Sequence, residues 1–338
     1  MTWQSKNQKQ IPTEEYVKGI KEGNRTVLAR AITLVESNAE RHFIQAQQLI
    51  ESLLQEPSNS IRIGITGVPG AGKSTFIDSF GSLLCNQGHR VAVLAVDPSS
   101  QVSNGSIMGD KTRMERLSRH PNAFIRPSPS GGNLGGVSRK TRETILLCEA
   151  AGYDVIIVET MGVGQGEFIV REMVDFFLLL VLTGAGDELQ TMKKGIMELP
   201  DLVVVNKADG DNMMKAERAK QEYGNILHFL KPYTPNWTTI TLTASALKET
   251  GIKDIWDRVM EFEHVTKKNG FFYERRKNQQ TEWLYSLLKH ELHHLFFTNS
   301  SVKKQLPLYE EQIRTGEKTV SASAIEILSL FLEKIKSG

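Results

Sequence analysis

The spacing of apolar positions changes twice along the chain. From Thr13 to Leu54 they recur at helical intervals, as in EEYVKGIKEGNRTVLARAITLVES, with Gly23 and Asn24 marking a break. The polar run QEPSNS closes that region. From Ile61 short β-branched runs take over: IRIGIT, VAVLAV, AFIRP, DVIIVE, FFLLLVL, LVVV and TTITLT. Helix-length stretches lie between several of them, such as Lys73 to Gln87 and Ser138 to Ala151. Strands that are apolar at nearly every position are buried on both faces, so their alternation with helices predicts an α/β fold with a largely parallel sheet covered by helices. Ligands of such sheets bind beyond the carboxyl ends of the strands. After about Lys268 the strand signal stops and a charged helical tail follows. Within it SAIE, Ser323 to Glu326, has capping-box spacing ahead of ILSLFLEKI.

Composition narrows the partners. The 338 residues are 40% hydrophobic, ample for a buried core, and 41 Lys and Arg against 39 Asp and Glu leave a net charge of +2. That balance points to neither nucleic acid nor a membrane surface as partner. Two cysteines, Cys85 and Cys148, sit in separate helix-like segments without metal or redox spacing, which fits small buried apolar residues in a reducing compartment. The start MTWQSKNQKQ lacks an apolar signal core, and the longest apolar run, Phe176 to Leu182, is too short to span a bilayer. The expectation is a cytoplasmic protein.

The chemistry starts at ITGVPGAGKST. Gly67-x-x-x-x-Gly72-Lys73-Ser74 follows a predicted strand and opens a predicted helix, the context a phosphate-binding loop requires. Glycines let the backbone across Gly67, Val68, Pro69, Gly70, Ala71, Gly72, Lys73, Ser74 and Thr75 wrap phosphates with its N–H groups, Pro69 having none to give, and the helix N-terminus adds positive potential. Lys73 would contact the β- and γ-phosphates and Ser74 would ligate Mg2+. Downstream, VVVNKADG places Asn206, Lys207 and Asp209 at a strand end, and TASAL places Ser245 and Ala246 after another. A carboxylate such as Asp209 can accept two hydrogen bonds from the N1–H and exocyclic amine of guanine. Adenine lacks that donor pair and would leave the carboxylate unpaired. The expected ligands are GTP and GDP.

The stretch DVIIVETMGVGQGE then becomes interpretable. Many GTP-binding proteins carry Asp-x-x-Gly at a strand end beside magnesium; here the acid is Glu159 and the glycine Gly162, a longer side chain able to reach the metal from a retracted backbone. Asp97 and Asp110 are further candidate metal acids, flanking a polar segment suited to a switch loop. Val163 follows Gly162 where signalling GTPases carry a water-orienting glutamine, so Gln165, Lys193 and Arg113 are candidates for the polar contribution to hydrolysis, beside Lys73 and Glu159.

Taken together, ARAITLVES, GVPGAGKST, VDPSS, GDKTRM, AFIRPSPS, ETMGVGQGE, GDELQ and NKADG resemble the cobalamin-enzyme chaperone GTPases of the MeaB type, also called ArgK. The resemblance implies a homodimeric P-loop GTPase that docks on an adenosylcobalamin-dependent acyl-CoA mutase, of methylmalonyl-CoA or isobutyryl-CoA type, gating cofactor loading and protecting the mutase. It implies that Ser74, Asp97, Asp110 and Glu159 surround magnesium, and that GDELQTMKK is a third switch loop with Lys193 at the position linked to hydrolysis. The implied division is an N-terminal helical extension over 1–58, a P-loop GTPase domain over 59–268 and a C-terminal helical dimerisation arm over 269–338. The sequence departs from the family at Gly166, Asn104 and Thr191-Met192, in or near switch loops.

Two other chemistries compete. HELHH in the tail matches the zinc metallopeptidase signature His290-Glu291-x-x-His294, with Glu310 or Glu311 as a third ligand, against an amphipathic helix whose Trp283, Leu287, Leu288 and Leu295 face a partner helix. The ArgK name brings a kinase or ATPase serving basic amino-acid transport, against which Asp209 argues.

Overall fold

The computed structural model describes residues 11–37, 39–54, 59–96, 114–127, 134–160, 166–184 and 195–336. The chain divides into two compact units, Met1–Gln279 and Gln280–Gly338.

The first unit opens with α1 (Thr13–Lys21), α2 (Arg25–Glu36) and α3 (Glu40–Leu53). The expected break at Gly23 and Asn24 is present, and the Asn24 side chain accepts the amides of Thr26 (3.0 Å) and Val27 (3.2 Å). Such a cap stabilises a helix by about 1 kcal/mol. Strands and helices then alternate: β1 (Ile61–Gly67), α4 (Lys73–Asn86), β2 (Val91–Val96), α5 (Glu115–Arg119), β3 (Ala123–Arg126), α6 (Leu134–Ala150), β4 (Val155–Thr160), α7 (Gly166–Arg171) and β5 (Phe176–Val181). They continue through β6 (Leu202–Val205), α8 (Met213–Phe229), β7 (Ile240–Thr243), α9 (Ile252–Lys268) and the start of α10 (Phe271–Thr298).

All seven expected strands form one sheet of order β3-β2-β4-β1-β5-β6-β7, every neighbouring pair parallel. β1 is central, with Ile65 opposite Glu159 of β4 on one side and Leu178 of β5 on the other. Alternation along the strands divides the core. Ile61, Ile63 and Ile65 join Phe76 and Phe80 of α4 and Trp256 and Phe262 of α9 on one face. On the other, Leu94, Ile156 and Val158 join Leu28 and Ile32 of α2, Leu49 of α3 and Cys148 of α6. The N-terminal helices therefore complete the second face of the sheet.

The end of the sheet where the strands begin is closed by buried charge. Asp175 and Asp201, 1% and 0% exposed, immediately precede β5 and β6. Arg276, near the start of α10, donates to both Asp175 oxygens at 2.8 and 2.6 Å. The Arg62 amide donates to the same carboxylate at 2.8 Å. Asp201 pairs with Arg171 at 3.0 Å and accepts the Phe177 amide at 2.9 Å. Arg275 donates to Thr234 and to the Asp175 carbonyl. The first two turns of α10 are thereby tied to the unit that ends at Gln279.

The second unit continues α10 and adds α11 (Ser300–Arg314) and α12 (Val320–Lys336). Phe296 and Phe331 rings meet at 5.2 Å. The expected capping box of Ser323 to Glu326 does not form, because both residues lie inside α12. Ser323 is 1% exposed inside α12, and the helix starts earlier, where the Thr319 hydroxyl accepts the Ala322 amide at 3.3 Å. Glu326 instead accepts from Tyr309 at 2.9 Å and pairs with Lys318. Leu288 and Leu295, expected against a partner helix, are exposed in this chain, as are Leu284 and Leu292 of the same helix. No group of three metal-ligating side chains occurs among the described residues, so His290 and His294 gain no third ligand there. No helix among the described residues is long and apolar enough to cross a membrane.

Candidate functional site

β1 ends at Gly67 because nothing larger fits: a Cβ there would meet the Leu180 carbonyl oxygen of β5 at 2.3 Å. The chain turns back through Val68, Pro69 and Gly70, with the Ala71 amide bonded to the Val68 carbonyl at 3.1 Å. It enters α4 at Gly72, whose φ of 84° is the left-handed region that favours glycine. A Cβ on Gly72 would also sit 3.0 Å from Asn206 Nδ2.

That close approach joins two parts of the site. Asn206, 1% exposed at the end of β6, donates from Nδ2 to the Ala71 carbonyl at 2.8 Å and accepts the Ala246 amide at 3.3 Å. Sequence reading grouped Asn206 with the nucleotide contacts; in the structure both ends of its amide are engaged by backbone. It thus fixes the phosphate-loop residues against the Asp209 and Ser245 side of the site. Lys207 takes φ 60°, and its carbonyl accepts from Asn212 at 2.8 Å. Asp209 is half-buried, and one of its carboxylate oxygens accepts the hydroxyl of Ser245, which is fully buried and itself accepts the Lys248 amide at 3.1 Å. Ser245 therefore orients Asp209 and leaves its second carboxylate oxygen outside that bond. Ala246 is buried.

At the loop, Lys73 Nζ donates to the carbonyls of Gly67 (2.7 Å) and Val68 (3.4 Å). Burial lowers the pKa of Lys73, opposed by the carboxylates of Glu159 and then Glu167. Ser74 Oγ lies 3.4 Å from Glu159 Oε1, bringing the first turn of α4 to the end of β4. Glu159 is 5% exposed. These are hard oxygen donors from two elements at one point, the donor chemistry magnesium selects. Thr75 is exposed, and beneath the loop the hydroxyls of Thr66 and Thr160 bond at 2.7 Å.

Asp97, Asp110, Gln165 and Lys193, with Arg113 and Val163, lie outside the described residues. Sequence reasoning passed over Glu167, a buried carboxylate on α7. Its only sequence signal is its place just beyond the glycines of GVGQGE.

The family described as Methylmalonyl Co-A mutase-associated GTPase MeaB matches residues 28–301. The chain belongs to that family. The GTPase ArgK of Escherichia coli is 49% identical over 283 residues, 83% of this chain and 86% of the relative. The mouse mitochondrial methylmalonic aciduria type A homolog is 45% identical over 323 residues, 93% of this chain and 78% of the relative. Among solved structures, the crystal structure of LAO/AO transport system kinase aligns with a TM-score of 0.77 at 38% identity, covering 95% of this chain and 97% of that one. The chain is a P-loop GTPase that binds guanine nucleotide, with the seven-stranded parallel sheet and flanking helices described above.

Proposed function

We propose that this GTPase is a chaperone for an adenosylcobalamin-dependent acyl-CoA mutase, of methylmalonyl-CoA or isobutyryl-CoA type, gating cofactor loading and protecting the mutase. The observation that carries the reading is the family match over residues 28–301, which spans the phosphate loop, Glu159 and Asn206 to Asp209 together.

In this reading the backbone N–H groups from Gly67 to Thr75, Pro69 excepted, cradle the phosphates, and Lys73 turns from the Gly67 and Val68 carbonyls to the β- and γ-oxygens. Ser74 and Glu159 hold magnesium, with Asp97 and Asp110 supplied from the neighbouring segments. The ion supplies charge stabilisation at the phosphates. Asp209, oriented by Ser245, reads the guanine edge. Gln165 and Lys193 supply polar groups for hydrolysis, and slow turnover is expected until a partner completes the site.

The exposed Leu284, Leu288, Leu292 and Leu295 recur every three or four residues along α10, an apolar stripe left uncovered among the described residues. It supports a homodimer in which each C-terminal arm, residues 269–338, packs on the other subunit. The second reading, a kinase serving basic amino-acid transport, takes its support from the likeness to the LAO/AO transport system kinase. Asp209 and Ser245 disfavour ATP, the substrate it needs.

Pull-down from native extract, with the protein loaded with a non-hydrolysable GTP analogue, tests the proposal. An acyl-CoA mutase captured with the analogue and not with GDP supports it. Capture of an amino-acid-binding protein instead favours the transport reading.

A further inference from the structure

The turn between β7 and α9 holds a glutamate where glycine is the easier residue. Glu249 takes φ 57°, in the left-handed region that disfavours a side chain. The turn is closed by reciprocal bonds, the Ser245 amide to the Thr250 carbonyl at 3.0 Å and the Thr250 amide to the Ser245 carbonyl at 3.2 Å. Inside it the Lys248 amide donates to the Ser245 hydroxyl at 3.1 Å, and that hydroxyl donates to Asp209. The backbone at Glu249 therefore helps to set where the Ser245 hydroxyl lies. The glutamate also ties the turn to a second element. Its carboxylate pairs with Arg116 of α5, whose Nε donates to Asp78 of α4 at 3.0 Å. The other Asp78 oxygen accepts the Leu117 amide at 2.9 Å, and Leu117 packs so closely on α4 that a Cβ on Gly81 would lie 2.6 Å from its Cδ2. Arg116 is thus fastened to the helix that Lys73 and Ser74 begin, and through Glu249 it fastens the turn to that helix. The Arg116 and Glu249 side chains are 54% and 56% exposed, so their pairing adds little to global stability. Backbone strain kept for so little stability points to a role in the neighbouring site.

We propose that Arg116, acting through Glu249, is a positioning residue for guanine recognition: the tether fixes the turn that aims the Ser245 hydroxyl, and so fixes the plane of the Asp209 carboxylate. The inference rests on the reading that Asp209 meets the base. A carboxylate accepts both the N1–H and the exocyclic amine of guanine only when its plane is set, because the two donors are fixed side by side on the ring. With the tether cut, the turn keeps its backbone bonds but the carboxylate gains freedom to rotate. The bond to the amine is then the one that weakens, and discrimination falls while the fold stands.

Inosine diphosphate keeps the N1–H of guanine and lacks the exocyclic amine, so its affinity relative to GDP reports the amine bond. Calorimetric titration of full-length protein with each nucleotide, with magnesium, should show the preference for GDP fall by roughly two- to fivefold in Arg116→Ala and in Glu249→Gly. Glu249→Gly should melt no lower than wild type, since the left-handed strain goes with the side chain. The double variant should lose no more preference than either single one, because both cut the same tether. An unchanged preference in Arg116→Ala overturns the inference, because a merely structural pair moves both nucleotides alike. A double variant whose loss is the product of the two single losses overturns it as well. Asp209→Asn separates the two levels of the reading. If it keeps the wild-type preference, Asp209 does not read the amine and the inference falls with that reading. If it loses the preference while Arg116→Ala keeps it, only the role of the tether fails. Should Arg116→Ala not fold, Glu249→Gly provides the same ratio.

Discussion

Replacing Arg276 with alanine should be among the most damaging single changes outside the nucleotide site. Arg276 donates to both oxygens of Asp175 at 2.8 and 2.6 Å and to the Ser60 carbonyl at 2.8 Å, and its guanidinium stacks 4.7 Å from the Phe272 ring centroid. The Asp175 side chain is 1% exposed and would keep only the Arg62 amide, at 2.8 Å, as a described partner. A buried ion pair is a weak net stabiliser when intact, because both charges have left water. Removing one partner strands the other, at a cost of about 3–5 kcal/mol. Against a total stability of roughly 5–15 kcal/mol, that is a large fraction. Urea unfolding at pH 7, followed by circular dichroism, should show the midpoint fall with little change in slope.

The pH dependence gives an independent check. Burial acts to raise the pKa of Asp175, but Arg276, with help from Arg62, outweighs it and holds the carboxyl below the usual range. A depressed folded pKa stabilises above the unfolded value of about 3.9 and loses that contribution as pH falls through the folded value. The gap between wild type and Arg276→Ala should therefore be full at neutral pH and shrink below about pH 4. A loss smaller than about 1 kcal/mol at pH 7, or a gap independent of pH, would refute the view that this cluster fastens α10 to the sheet.

Glu159→Gln should slow magnesium-dependent GTP hydrolysis by roughly tenfold or more while leaving the fold intact; near-normal turnover would return Glu159 to a purely structural role on β4. A chain ending at Gln279 keeps Arg275, Arg276 and Gln279 in their unit and should be monomeric and bind GTP, whereas one ending at Lys268 uncovers Asp175 and Asp201 and should be less stable. Light scattering, nucleotide titration and thermal melting check both, and a dimeric Gln279 truncation would remove the arm's role. Burial pushes the Cys85 thiol up to about 11 and Cys148 higher still, so neither should react with a thiol reagent in the native protein near pH 7, as mass spectrometry would show.

Legibility in the sequence followed the range of the interaction. β1, β2, β4 and β5 could be read because strands buried on both faces must be largely apolar, and Gly67 to Ser74 because a loop closing on phosphates constrains residue type position by position. The start of α12 was misread because Ser323 and Glu326 have the spacing of a cap; burial of Ser323 and the availability of Thr319 decided otherwise. The cluster joining Arg276 to Asp175 was invisible because its members lie 101 residues apart and each, alone, is an ordinary charged residue. Asn206 shows the same limit in the site: its motif was plain, but its engagement by Ala71 and Ala246 required the fold. Glu167 went unread for want of a local pattern that distinguishes a buried glutamate from a solvated one.

The central claim, a guanine site read by Asp209, is tested most directly by hydrolysis of GTP and xanthosine triphosphate by wild type and Asp209→Asn. The Ser245 hydroxyl donates to Asp209, so in the variant it holds the amide oxygen and turns the amide nitrogen toward the base. That donor suits the extra carbonyl of xanthine and opposes the amine of guanine. Wild type should strongly prefer GTP, and the variant should shift toward xanthosine triphosphate by about 10²-fold or more in relative kcat/KM. An unchanged preference in the variant would contradict the account.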